Sequence, residues 1–291
     1  MRTFDPEQTR TYFDHVYSTA DMALVARDPE AALHHRDWLL IDSILPKASG
    51  VSRILDFGCG QGRLVTELVQ RGYDAYGLEK HEGMQRVALD NLAAGGADRD
   101  RIALGGHEAL AATESESLDM FVAMGVFQYV DDAEQDEILS HAHRLLKPGG
   151  HLCCTFQNAF FDLFTFNKYT IDFITNELLG PYATDDEKEK LTQGLADLVT
   201  NSAAPPYSPT RARDNVYVRL TNPLAIRGEL ADRGFALDEI YFYEFFGVPP
   251  LLTDRFPELA KRIAAWFERD NATRWEGNFM ANALLVDATK S

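Results

Sequence analysis

Arg53-Ile-Leu-Asp-Phe-Gly-Cys-Gly-Gln-Gly-Arg63 begins as a short apolar strand and ends in three alternating glycines, Gly58, Gly60 and Gly62. A helix-forming run, Leu64-Val-Thr-Glu-Leu-Val-Gln70, follows at once. Strand, glycine turn and helix in that order open a nucleotide-binding βαβ unit. Glycines let the backbone approach a ligand closely, and the helix start offers unpaired N–H groups.

The spacing narrows the choice. A dinucleotide fingerprint, G-x-G-x-x-G, needs glycine at position 63, which is Arg63. Here the glycines follow G-x-G-x-G, with Asp56 two residues ahead of the first. The next strand, Asp74-Ala-Tyr-Gly-Leu-Glu79, ends in an acid, about 20 residues on, where a carboxylate can accept both hydrogen bonds of a ribose diol.

On the motif from Leu55 to Gly62 and on Glu79, the chain resembles the class I S-adenosylmethionine-dependent methyltransferases. The resemblance implies a doubly wound α/β fold, a Rossmann-like sheet of seven strands with the last antiparallel. It implies S-adenosyl-L-methionine as cofactor and places Asp56, Gly58, Cys59, Gly60, Gly62, Glu79 and Lys80 against it. Many members carry Asp where Gly106 stands, so adenine contact is expected to pass to His107, Glu108 or backbone groups. Leu146-Lys-Pro-Gly-Gly150, a helix stop, is a further point of resemblance.

Residues 53–156 alternate strand and helix, the mark of a parallel sheet covered on both faces. Strands are expected at 101–104, at 118–124 and at 151–156, with a helix from Asp131 to Leu146 capped by Asp131 or Asp132. Ligands of open α/β sheets bind beyond the carboxyl ends of the strands. By that rule Met124, Gly125, Gln128 and Tyr129 border the reacting sulfonium, and the Tyr129 ring can support a cation. Phe127 is expected in the core.

Around this core, residues 49–156, the chain divides into three further parts. Residues 1–48 form two helices, the second started by Asp28-Pro29 and ended at Pro46. The resemblance implies that such a segment covers cofactor and acceptor, which makes Tyr12, Tyr17 and Arg36 candidates, Tyr17 on the cofactor side and Tyr12 on the acceptor side. Residues 157–210 begin with the aromatic run Phe160–Tyr169 and continue through a helical period and an acidic helix. They are expected to form a lid over the acceptor, the alternative being a dimer interface or extra core built from the same aromatics. Residues 211–291 complete the sheet, with an alternating run at 211–220, a helix begun by Asn222-Pro223, and final strands near 237–246 and 279–287.

Net charge is −17, which argues against nucleic acid or an anionic membrane surface as partner. The tight basic cluster of Arg211, Arg213 and Arg219 is too small to reverse this. No apolar run is long enough to span a bilayer, and Met1–Glu7 lacks a signal-peptide core. Three cysteines build neither a disulfide framework nor a zinc pattern, and cytoplasm is the expected compartment. No metal site is expected.

Methyl transfer to a hydroxyl needs a base, and histidine is the usual choice. Among eight histidines, His15 and His35 are the ones a closing N-terminal segment brings to an acceptor, with Tyr129 beside them. Asn158, Tyr169, Arg211, Arg213 and Tyr217 are candidates for holding a small-molecule acceptor. The expected activity is methylation of a small molecule, oxygen before nitrogen, in a natural-product or glycan pathway. The rivals are a nicotinamide-dependent oxidoreductase, opposed by Arg63, and a non-catalytic S-adenosylmethionine-binding sensor or scaffold.

Overall fold

The computed structural model describes residues 4–18, 36–179, 181–199 and 216–291. Its centre is a sheet of order β3-β2-β1-β4-β5-β8-β7. The strands are β1 (Arg53–Phe57), β2 (Asp74–Glu79), β3 (Ile102–Leu104), β4 (Leu118–Ala123), β5 (Leu146–Asn158), β6 (Leu220–Thr221), β7 (Phe235–Phe245) and β8 (Ala281–Lys290). β1 to β5 are parallel, and β8 runs antiparallel between β5 and β7. The expected seven-stranded path is present, and two-residue β6 pairs with the end of β5 as an eighth strand.

The helices are α1 (Pro6–Ser18), α2 (Leu39–Ile44, π-helical), α3 (Arg63–Gln70), α4 (Glu82–Ala94), α5 (Asp132–Leu145), α6 (Phe161–Thr165), α7 (Lys168–Asp172, continued by the π-helical Phe173–Leu178), α8 (Asp185–Val199), α9 (Ile226–Ala231), α10 (Pro257–Asp270) and α11 (Gly277–Met280). Asp131 is the cap of α5, its carboxylate accepting from Glu134 N at 2.8 Å.

Each central strand feeds two cores, because successive side chains leave a strand on opposite faces. In β4, Phe121 and Ala123 join one core, while Met120 and Val122 join the other. The first core is closed by Ile138, Leu139 and Leu145 of α5 and by Ile226 and Leu230 of α9. The second is closed by α2, by Leu64 and Leu68 of α3, and by Ala88 and Leu92 of α4. Burial on both faces is why these strands read as continuous apolar runs. Phe127 is fully buried and stacks on Phe156 at 5.3 Å, a core residue as expected.

Three sequence expectations need correction. The Leu146–Gly150 stop is not separate from the fifth strand: β5 begins at Leu146, opposite Leu118, and the register jumps before Met120 meets His151. The extra residues Lys147-Pro-Gly-Gly150 bulge out, with Gly149 at φ +75°. Of the strand expected over 211–220, the described residues 216–220 contribute only Leu220, which pairs together with Thr221; residues 211–215 lie outside the described residues. Finally, β8 starts at Ala281, because Gly277–Met280 is helical. Asn158 holds that turn, donating to the carbonyls of Asn278 and Ala281 at 2.9 and 2.8 Å.

Downstream of β5, Phe160 stacks on Phe279 and Phe161 tilts against Phe246. Asn167 caps α7, accepting from Tyr169 N at 2.9 Å. Among the described residues, no helix is long and apolar enough to cross a membrane.

Candidate functional site

A cavity of about 370 Å³ opens at the carboxyl ends of the parallel strands, a size typical of small-ligand sites, roughly 300–1,000 Å³. Its floor is the turn after β1. Gly58 N donates to Leu78 O at 2.8 Å, pinning the turn to β2. Gly58 has φ +73°, and a Cβ there would lie 2.5 Å from a methyl of Val126. Only glycine meets both demands.

Glu79 ends β2 with 3% exposure. Its carboxylate accepts from Gly60 N and His81 N, both at 2.8 Å, so it braces the turn as well as facing the cavity. The opposite wall is the turn after β4, where Met124, Gly125, Gln128 and Tyr129 all line the space. Gly125 has φ +76°, and a Cβ there would come within 2.8 Å of the Arg36 guanidinium. The absent side chain is what lets Arg36 cross that wall.

A buried ionic group lies beneath. Asp37 pairs with Arg63 and, at 3.5 Å, with Arg36. Asp56 is wholly enclosed beside them, and burial, then the charges of Asp37 and Glu79, push its carboxyl up to about 8 despite Arg36 and Arg63. Asp56 Oδ1 has no hydrogen-bond partner among the described residues, nor has Gln128 Oε1. Buried polar atoms are rarely left so. Two orphan acceptors in one cavity fit a polar ligand whose donors complete them.

Near the third strand, Gly105, Gly106 and His107 line the cavity. His107 Nε2 lies 2.8 Å from Glu137 and its Nδ1 3.6 Å from Glu134. Glu108 turns back to accept from Gly106 N at 3.0 Å and does not border the cavity. Lys80 does border it, 3.8 Å from Glu134. Cys59 also borders it, with its thiol pushed up by burial.

α1 reaches the mouth through Thr9 and Phe13. The Phe13 ring meets Tyr129 edge-on at 4.8 Å, and Tyr12 packs against Phe13 without lining the space. His15 and Tyr17 belong to α1, but their side chains lie outside the described residues, as do His35, Arg211 and Arg213 altogether.

The structure separates several acceptor candidates from the cavity. Asn158 is spent on the carbonyls of the α11 turn. Tyr169 is buried in α7 beneath Lys168. Tyr217 meets Phe4 edge-on at 5.7 Å, away from the cavity lining. None of the described residues from 158 to 199 lines the space; that stretch packs beside α11 and the end of β7. What the sequence reasoning missed is Asp37, Gln157, Tyr243, Glu244 and Asn282. Strand parity could have found Gln157, because Phe156 and Asn158 are both buried inward.

At the opposite end of the strands, His151 Nδ1 lies 2.9 Å from Asp287 Oδ1, and Asp238 lies close by. These groups satisfy one another, and Asp238 accepts from Thr289.

A family profile described as a methyltransferase domain matches residues 54–150. An uncharacterized methyltransferase of Geobacillus kaustophilus is 31% identical over 113 residues, which is 39% of this chain and 49% of that protein. A ubiquinone biosynthesis O-methyltransferase of Ralstonia nicotianae is 36% identical over 118 residues, 40% of this chain and 46% of the relative. The matched regions thus span about half the length of these curated relatives. A solved S-adenosylmethionine-dependent methyltransferase from Archaeoglobus fulgidus superposes with a TM-score of 0.53 at 16% identity, covering 94% of this chain and all of that one, which supports the fold. Residues 54–150 thus match a methyltransferase domain, on a fold shared with a solved S-adenosylmethionine-dependent methyltransferase.

Proposed function

We propose that this chain moves a methyl group from S-adenosylmethionine to an oxygen atom of a small-molecule acceptor. The observation that carries the proposal is the cavity itself: a glycine turn, the Glu79 carboxylate and the orphaned Asp56 Oδ1 line it together. The cofactor, when bound, supplies a methyl carbon made electrophilic by its sulfonium.

The residues present fit that cofactor. Glu79 takes the ribose hydroxyls, and Gly58, Gly60 and Gly62 bring backbone close to the nucleoside. Asp56 and Asp37 favour the ammonium of the methionine part, and Arg36 favours its carboxylate. His107, Lys80 and the backbone of Gly105 and Gly106 border the adenine end. Met124, Gly125, Gln128 and Tyr129 flank the reacting centre, Tyr129 by its π face. α1, through Thr9 and Phe13, covers the mouth and excludes water. Most of the rate then comes from positioning, worth about 7–11 kcal/mol in ideal cases.

Oxygen is favoured over nitrogen by the Ralstonia relative, whose name gives it an O-methyltransferase activity. A natural-product or glycan pathway is the proposed setting. The test is transfer of labelled methyl from S-adenosylmethionine to a panel of hydroxylated and amine-bearing small molecules. Incorporation into hydroxylated members supports the proposal, and incorporation only into amines overturns the oxygen assignment.

A further inference from the structure

The cavity has a second polar end, formed by residues to which the methyl-transfer reading assigns no role. In the sheet, β2 and β7 stand on opposite sides of the β1–β4 pair. Glu79 closes the β2 side. On the other side, β5 contributes Gln157, β7 contributes Tyr243 and Glu244, and β8 contributes Asn282.

Glu244 is unusual in its backbone. It lies inside β7, between the register pairs Tyr243↔Ala283 and Phe245↔Ala281, which places it opposite Asn282. Yet its φ is +53°, the left-handed region that disfavours any residue with a Cβ. No turn requires it there. Strained residues of this kind concentrate where a side chain must be aimed at a ligand, and this one lines the cavity.

Its carboxylate is also held. Asn282 Nδ2 donates to Glu244 Oε2, and Asn282 is 3% exposed. Gln157 Nε2 in turn donates to Asn282 O at 3.0 Å and to its side-chain oxygen. A relay of two amides thus fixes one carboxylate oxygen. Behind it, Tyr243 hydrogen-bonds Thr155, and Thr155 Oγ1 accepts from Gly125 N at 2.7 Å. That chain ties the end of β7 to the turn that flanks the reacting centre.

We propose that Glu244 is the acceptor-facing base of the site and that the acceptor is a small molecule presenting a hydroxyl to it. This rests on the methyl-transfer reading above. An oxygen lone pair forms the new O–CH3 bond while the S–CH3 bond breaks and leaves its electron pair on sulfur. The hydroxyl proton passes to the Glu244 carboxylate and from there to water, so charge and atoms balance. A hydroxyl must lose its proton as it attacks, and an ionised carboxylate can only accept. The charged and titratable groups around this end are Arg36 and Asp37 from the segment before α2, and Tyr243 on β7 itself.

The experiment compares wild type with Glu244→Gln, Glu244→Asp and Glu244→Gly. S-adenosylhomocysteine binding is measured by calorimetry, and methyl transfer is measured with matched probes, small phenols and catechols beside their methyl ethers and the corresponding anilines. The proposal expects unchanged S-adenosylhomocysteine affinity in all variants. It expects Glu244→Gln to lower kcat for hydroxyl probes by about 100-fold or more, with a smaller change in KM, and to remove the acid limb of the kcat/KM profile. Glu244→Asp should restore part of the rate. Glu244→Gly should melt at a higher temperature than wild type while staying inactive, because glycine relieves the strain. Retained kcat in Glu244→Gln overturns the proposal. So does failure of wild type to methylate any hydroxyl probe while S-adenosylhomocysteine binds. If S-adenosylhomocysteine does not bind wild type, it is the cofactor assignment that fails.

Discussion

Replacing Asp56 by Asn should change how stability depends on pH. The carboxyl is fully enclosed and raised to about 8, by burial first and then by Asp37 and Glu79. In the unfolded chain an Asp titrates near 3.9. Between these values the folded protein holds one proton more than the unfolded chain, so stability falls as pH rises, by about 1.4 kcal/mol per pH unit. The contribution is complete below the unfolded value, is lost as pH climbs to about 8, and is flat above. Asp56→Asn carries no such proton. For a chain of this size 1 kcal/mol moves Tm by about 2–4 °C. The Tm of the variant should therefore gain on wild type by roughly 3–6 °C per pH unit from about pH 5 to 8. Thermal melts followed by circular dichroism over that range provide the assay. Parallel curves for the two proteins, or wild type gaining on the variant as pH rises, would refute the reasoning about this buried acid.

Other expectations follow from neighbouring groups. Glu79→Ala should weaken S-adenosylhomocysteine binding by about 1.5–3 kcal/mol per charged hydrogen bond lost; because Glu79 also braces Gly60 and His81, calorimetry should be paired with a melt, and unchanged affinity would sink the ribose role. Tyr129→Ala should lower turnover more than Tm, since the half-buried ring meets Phe13 rather than the core; equal collapse of both would make it structural. Asn158→Ala should cost about 1–3 kcal/mol of stability by orphaning the carbonyls it holds at Asn278 and Ala281, with S-adenosylhomocysteine affinity unmoved. His151 has its pKa raised by its hydrogen bond to Asp287, so the stability it contributes is present below its unfolded value near 6.5 and fades as pH rises through the higher folded value; His151→Gln should flatten that part of the pH–Tm curve.

The parallel half of the fold was legible because its signals are local. The glycine turn, the acid closing β2 and the apolar runs of β1 and β4 each declare themselves within a few residues. The position of the cavity followed from the rule that ligands sit beyond the strand ends, and Gly58, Glu79, Met124, Gly125 and Gln128 all line it. The end lined by Gln157, Glu244 and Asn282 was not legible in the same way. Asn158 was chosen where Gln157 faces the cavity, an error of one residue that strand parity turns into the opposite face. Glu244 and Asn282 meet only because β8 runs back between β5 and β7, a pairing across 38 residues that no local pattern announces. Asp37 reaches Arg63 by the same kind of long-range placement. Arg63, noticed at first only for not being glycine, turns out to neutralise a buried acid.

The glycine turn, Glu79 and Asp56 together are proposed as an S-adenosylmethionine site. Calorimetric titration of the purified protein with S-adenosylhomocysteine, beside an identical titration with NAD, tests it most directly. The account predicts one-to-one binding of S-adenosylhomocysteine at micromolar concentration and no heat from NAD. Binding of NAD alone, or of neither, would contradict it.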